Sequence, residues 1–137
     1  MTIPNEKLID IAIGVLNPYL IGSRLFGDFG AALISGNGDI YTGVSVDTPS
    51  WGLCAERSAK AAMITARQYK VLKVVAVWRD ERSGKVQVLP PCGVCREFMR
   101  NVDMENLEAE VLLGRLKSVK LKDLLPFHEW PNPLRED

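Results

Sequence analysis

Apolar residues recur at helical spacing through Leu8, Ile9, Ile11, Ala12, Val15 and Leu16, which predicts a helix over 5–16 closed by Asn17-Pro18. A strand rich in small residues follows over 27–34. Gly36-Asn37-Gly38-Asp39 is a turn signal, and a second strand follows over 40–46, so the two are expected to pair as an antiparallel hairpin. Residues 48–52 read as loop. A helix is predicted over 54–69, with Ala55, Ala59, Ala62, Ala66 and Met63 on or near one face. Small side chains there let a helix lie close against a sheet. The near-continuous apolar run 71–78 has the pattern of a strand buried on both faces. A charged turn occupies 79–85, and Pro90-Pro91 stops whatever precedes it. A short helix is expected over 92–101, just after a proline. A strand follows over 109–113, then a short strand and a helical turn within 119–125. The tail over 131–137 is polar and expected to be mobile. Hairpin, helix, strand, helix, strand describes an α/β sandwich with a mixed sheet of about five strands.

Composition changes this picture little. The 137 residues suit one domain over 1–137, and no repeat, low-complexity stretch or linker divides them. Seventeen basic residues balance seventeen acidic ones, which argues against a nucleic-acid partner. No apolar run approaches the roughly 20 residues of a membrane span. Met1 to Lys7 lacks the basic start and apolar block of a signal peptide, so a cytoplasmic location is expected. Three cysteines is an odd count, better suited to reduced thiols or metal ligands than to a disulfide framework.

Those cysteines carry the chemistry. They fall in two clusters, Cys54-Ala55-Glu56-Arg57 and Pro91-Cys92-Gly93-Val94-Cys95-Arg96, each at a predicted helix start. Residues three apart on a first helical turn have β-carbons about 5–6 Å apart, close enough for Cys92 and Cys95 to clamp one ion. Helix N-termini favour the thiolate form that a ligand must take. Zinc is the natural metal for three sulfurs, and a three-cysteine set leaves one position of the tetrahedron open for water. Such a water needs a base beside it, and Glu56 stands two residues from a ligand at the same helix end. Cys-x-Glu followed by Pro-Cys-x-x-Cys is the pattern of the zinc-dependent deaminases.

The chain resembles the short cytidine deaminases and their relatives that act on blasticidin S. Besides the two cysteine clusters, the resemblance rests on Gly30-Ala31-Ala32-Leu33, Gly38, Tyr41-Thr42-Gly43, Ser58-Ala59 and Leu124-Leu125-Pro126-Phe127, in the family's order and at about its spacing. It implies a three-layer α/β/α sandwich and hydrolytic deamination of a cytosine-type nucleoside, cytidine or deoxycytidine, with release of ammonia. It implies zinc on Cys54, Cys92 and Cys95, Glu56 as the proton shuttle, and a base held by the backbone around Ala55. Arg57 would hydrogen-bond the cysteine sulfurs, drawing off charge from a site that three thiolates leave net negative with one zinc. The family is typically homotetrameric. An aromatic near Phe127 then reaches a neighbouring subunit's site, which makes Phe127 or His128 a pocket residue in trans.

The sugar half of the family's pattern differs. Ser45 and Asp47 occupy the places of the usual Asn and Glu that hold the ribose hydroxyl, and both are shorter. The family's phenylalanine before the first strand aligns with Gly27, with Phe26 adjacent as the candidate substrate contact. Trp51 stands where a tyrosine is common. A cytosine-bearing analogue such as blasticidin S, or another aminopyrimidine, is therefore the rival substrate. The rival from another class is a non-enzymatic zinc domain, its fourth ligand supplied by His128, which would leave Glu56 without a task. Arg96 is either a surface charge or a partner of the metal site.

Overall fold

A computed structural model describes residues 3–129; the tail expected over 131–137 lies outside the described residues. In chain order the elements are α1 (Asn5–Gly14), β1 (Tyr19–Ile21), β2 (Arg24–Phe26), β3 (Phe29–Ser35), β4 (Ile40–Val44), α2 (Ala55–Thr65), β5 (Val71–Arg79), β6 (Val86–Leu89), α3 (Gly93–Val102), β7 (Glu110–Leu112) and β8 (Ser118–Lys120). Short 3₁₀ turns at Met104–Glu108 and Leu121–Leu124 flank the last two strands.

The sheet runs β4-β3-β5-β7-β8, with β6 also on β5. It has six strands, one more than the sequence pattern suggests. The extra strand is β6, which ends at Pro90-Pro91 and pairs antiparallel with Ala76–Arg79. The other end of β5 pairs in parallel with β7 at Lys73 and Val74. One edge of β5 is thus shared by two strands that diverge, and α3 starts beside that fork. A two-stranded ribbon, β1 with β2, stands apart from the main sheet and was likewise not expected.

Alternation along the central strands sends side chains to two separate cores. Ala31, Leu33, Val74 and Val111 pack with Ala55, Ala59 and Met63 of α2 and Met99 of α3. Ala32, Val75, Val77 and Leu112 pack with Leu8, Ile9 and Ala12 of α1. Helices therefore cover both faces, giving the three-layer arrangement expected. Among the described residues no helix is long and apolar enough to cross a membrane.

Two positions set how closely the layers approach. A β-carbon on Gly43 of β4 would lie 2.4 Å from the backbone nitrogen of Ala59 and 2.8 Å from the carbonyl oxygen of Ala55. The first turns of α2 thus rest directly on the β4 backbone, which glycine permits. Helix α2 ends before the predicted 69: Arg67 adopts φ +62°, and the Gln68 N–H donates to the Met63 carbonyl at 3.1 Å. That is a Schellman-type closure with arginine where glycine is usual, so nothing in composition announced it.

Candidate active site

Cys54 and Cys92 are the N-cap residues of α2 and α3, both extended. Cys95 lies one turn into α3, fully buried. The Sγ atoms of Cys54 and Cys92 are 3.5 Å apart, those of Cys92 and Cys95 also 3.5 Å, and all three fall within 4.8 Å of one another. Tetrahedral zinc with Zn–S near 2.3 Å sets sulfurs about 3.8 Å apart, so the cluster fits a metal ion of that kind.

The protonation chemistry of the thiols agrees. Burial opposes the Cys92 thiolate, yet N–H groups of Cys95 and Val94 and the thiols of Cys95 and Cys54 together hold its pKa below the usual thiol value. Cys95 is pushed up, first by burial and then by the neighbouring Glu56 carboxylate. Three converging thiols cannot all ionise without a compensating cation. His128 is outside the cluster, and no fourth protein ligand joins it among the described residues.

Glu56 is buried at the first turn of α2 and lines a cavity of about 500 Å³ together with Ala55, Cys54 and Cys92. Burial raises its pKa, opposed by its own backbone N–H, Lys60 and Arg57. A carboxyl so placed is biased toward its neutral form, which can donate a proton. Arg57 directs Nη2 at Cys54 Sγ, 3.7 Å away, and at the Gly52 carbonyl, 3.3 Å away. The Cys54 contact also raises the Arg57 pKa.

The opposite wall is built by a loop that closes on itself. Val46 and Leu53 exchange backbone hydrogen bonds of 2.9 and 2.8 Å, which returns the chain from β4 to Cys54 and sets Ser45 and Asp47 on the same cavity. Phe26 is not part of that wall; Leu25 and Phe29 are. Adjacent residues of a strand face opposite ways, so the choice of Leu25 on β2 turns Phe26 away. Trp51 is at the exposed tip of the loop, its N–H donating to Thr48 Oγ1 at 3.2 Å. Arg96 does not reach the sulfurs: it donates to the carbonyls of Pro91 at 2.9 Å and Leu124 at 3.3 Å, tying α3 to the C-terminal turn. Phe127 is fully exposed with φ +53°.

Two residues at the site escaped the sequence pattern. Asp28 lines the cavity and accepts from Ser45 Oγ at 3.2 Å. Lys60 is 1% exposed, one turn beyond Glu56, and donates to the Cys95 carbonyl at 3.4 Å. A lone lysine at helical spacing from Glu56 and Met63 was the available signal for the second.

No family model matches the chain. Over 127 residues it is 30% identical to a cytidine deaminase of Halalkalibacterium halodurans, covering 88% of this chain and 87% of that protein. Over 71 residues it is 41% identical to a probable cytidine deaminase of Dictyostelium discoideum, covering 50% of this chain and 46% of that protein, so the match takes in less than half of that relative's length. The crystal structure of the cytidine deaminase from Bacillus anthracis has the same fold, with TM-score 0.72 and 25% identity over 90% of this chain and 88% of that one. With a relative of this identity matched along nearly its whole length, the chain belongs to the cytidine deaminase family.

Proposed function

We infer that the protein hydrolyses the amino group from a cytosine-type nucleoside, cytidine or deoxycytidine, giving the uridine product and ammonia. The observation that carries this is the convergence of three thiols, two of which, Cys54 and Cys92, line one cavity together with the buried carboxyl of Glu56. Cys54, Cys92 and Cys95 would hold one zinc ion, which when bound supplies a Lewis acid that ionises water near neutral pH.

The chain's own groups do the rest. Glu56 accepts the proton of the attacking water and gives it to ring N3, then takes the proton of the new C4 hydroxyl and delivers it to the departing amine as the C4–N bond breaks. Its burial favours the neutral acid, the form that can donate. Ala55 contributes backbone to the wall against which the base lies. Arg57 donates to Cys54 sulfur and withdraws charge from the metal site. Ser45 and Asp47 bind the ring substituent. Their replacement of the family's Asn and Glu favours, as a second reading, a cytosine analogue with a different substituent, such as blasticidin S.

One domain over 1–137, a homotetramer and a cytoplasmic location complete the reading, with pyrimidine salvage as its setting. Exposed Tyr19, Leu20 and Ile21 on the β1–β2 ribbon support assembly, being apolar surface that a second subunit would cover. The experiment is direct: incubate zinc-loaded protein with cytidine, deoxycytidine, blasticidin S and free cytosine, and measure ammonia release. Ammonia from the nucleosides is expected. Ammonia from none of the four overturns the reading.

A further inference from the structure

Asp28, in the turn between β2 and β3, is half-buried on the same cavity as Glu56. One carboxylate oxygen accepts from Ser45 Oγ at 3.2 Å, and the other from Trp78 Nε1 at 3.2 Å. Ser45 Oγ itself accepts from the Phe29 N–H at 3.3 Å. Phe29 stacks on Trp78 with ring centroids 6.0 Å apart, so the group is braced across the neighbouring strands β3 and β5 and the end of β4.

Donor counting decides what this wall offers a ligand. A serine hydroxyl has one proton, and that of Ser45 is committed to Asp28. What remains on Ser45 is a lone pair. A carboxylate donates nothing, and each Asp28 oxygen keeps acceptor capacity beyond its one bond. Asp47, on the same cavity, adds a second carboxylate. The described ion pairs involve Glu6, Glu97, Glu105, Glu108 and Glu110, which leaves Asp28 and Asp47 without a paired cation among the described residues. The nearby cation, Arg57, is turned to Cys54 and Gly52. The side chains of this wall therefore accept and do not donate.

We propose that Asp28, with Ser45 and Asp47, forms an acceptor-only wall that selects substrates whose ring substituent carries hydrogen-bond donors, an ammonium group ahead of a hydroxyl. The proposal rests on the deaminase reading above and deepens it. In a six-membered pyrimidine, N1 lies opposite C4. A ring placed with C4 at the cysteines and Glu56 sends its N1 substituent toward the remainder of the cavity. A donor arriving there completes the free lone pairs, and a cation also gains attraction from two carboxylates. A substituent that only accepts would face lone pairs and be left unsatisfied.

The test compares kcat/KM for cytidine with its 3′- and 5′-amino-deoxy and 3′- and 5′-fluoro-deoxy analogues, which change donor capacity at nearly constant size. The native protein is expected to rank amino above hydroxyl above fluoro at one or both positions, by about tenfold overall. Asp28→Asn, with metal content and melting temperature checked, is expected to compress the amino-to-fluoro ratio about threefold, chiefly through KM. A flat ranking in the native protein overturns the proposal, and that measurement needs no variant. An equal loss on all five compounds in Asp28→Asn also overturns it, because it shows that Asp28 only supports the fold. Deamination of none of the compounds overturns the deaminase reading and this one with it, whereas deamination with a flat ranking overturns this one alone.

Discussion

The Lys60 ammonium lies 3.4 Å from the carbonyl oxygen of Cys95, linking α2 to α3 directly behind the sulfur cluster. Lys60 is fully enclosed, and one long hydrogen bond for three N–H donors is poor compensation for a buried cation. Burial accordingly lowers its pKa from the ordinary 10.5, partly offset by Cys95, Glu56 and the other thiols. Lys60→Met keeps the shape and removes the charge, so it is expected to raise unfolding stability by about 1–4 kcal/mol near neutral pH. In the window between the lowered folded pKa and 10.5 the unfolded chain binds more protons, so native stability rises with pH there. The advantage of Lys60→Met over the native protein should therefore shrink as pH rises toward 10.5. Urea unfolding of both proteins at several pH values checks this; a constant difference would show that the ammonium charge is not its source.

Glu56→Gln separates the proton-carrying role proposed for Glu56 from the proposed metal site. Glu56 is not part of the sulfur cluster, so the variant is expected to keep its metal and fold. Removing the carboxyl should lower kcat by about 10²–10⁴-fold, the range for losing a general acid–base group. Metal analysis and steady-state kinetics on one preparation decide the matter. Loss of metal would place Glu56 among the ligands, and retained activity would remove it from the chemistry.

The sulfur cluster was legible in the chain because its geometry is local: Cys92 and Cys95 share a helical turn, and Glu56 follows Cys54 on another. The two-core sandwich was legible because alternation in β3 and β5 and small residues on α2 are burial patterns within single elements. Strand β6 was not, since four residues ahead of two prolines carry too short a period. The β1–β2 ribbon was not, because β1 is exposed throughout and has no buried face to betray it. Asp28 was invisible for another reason. Its role depends on Ser45, 17 positions away, and Trp78, 50 positions away, and only the pairing of β3 with β4 and β5 brings them together. The resemblance points to Phe26, and the cavity is lined by Leu25 and Phe29, because a position in the sequence does not say which way a strand residue faces.

Cys92→Ala tests the metal as a structural cross-link. Cys92 is the exposed member of the cluster, so its removal costs little packing. It does disconnect α2 from α3 if an ion joins Cys54 to Cys95. The native protein is expected to carry one zinc per chain and to lose unfolding stability when a chelator removes it. Cys92→Ala is expected to carry far less than one zinc and to unfold at the same denaturant concentration with or without chelator. A native protein without zinc, or unfolding indifferent to chelator, would contradict the assignment.

Gly43 fixes how deeply α2 sits and therefore where Cys54 and Glu56 project. An added β-carbon would meet the Ala59 nitrogen at 2.4 Å, Ser58 Cβ at 2.7 Å and the Ala55 carbonyl at 2.8 Å. Two of those three atoms are backbone, so no rotamer change relieves the clash and the helix itself must move. Gly43→Ala is expected to cost about 1–3 kcal/mol of stability, as overpacking does. The displaced helix carries Cys54 at its N-cap and Glu56 on its first turn, so under the proposed function kcat should fall as well, beyond any loss due to unfolded protein. Gly38, where an added β-carbon meets nothing within 4 Å, is the control for glycine loss without crowding, although its φ of +89° penalises the backbone. Gly38→Ala should lower the unfolding midpoint while leaving kcat per folded molecule at the native value. Denaturation curves and kcat normalised to folded protein distinguish the two variants. An unchanged kcat in Gly43→Ala would mean that the start of α2 tolerates displacement and that the close β4 contact serves stability alone.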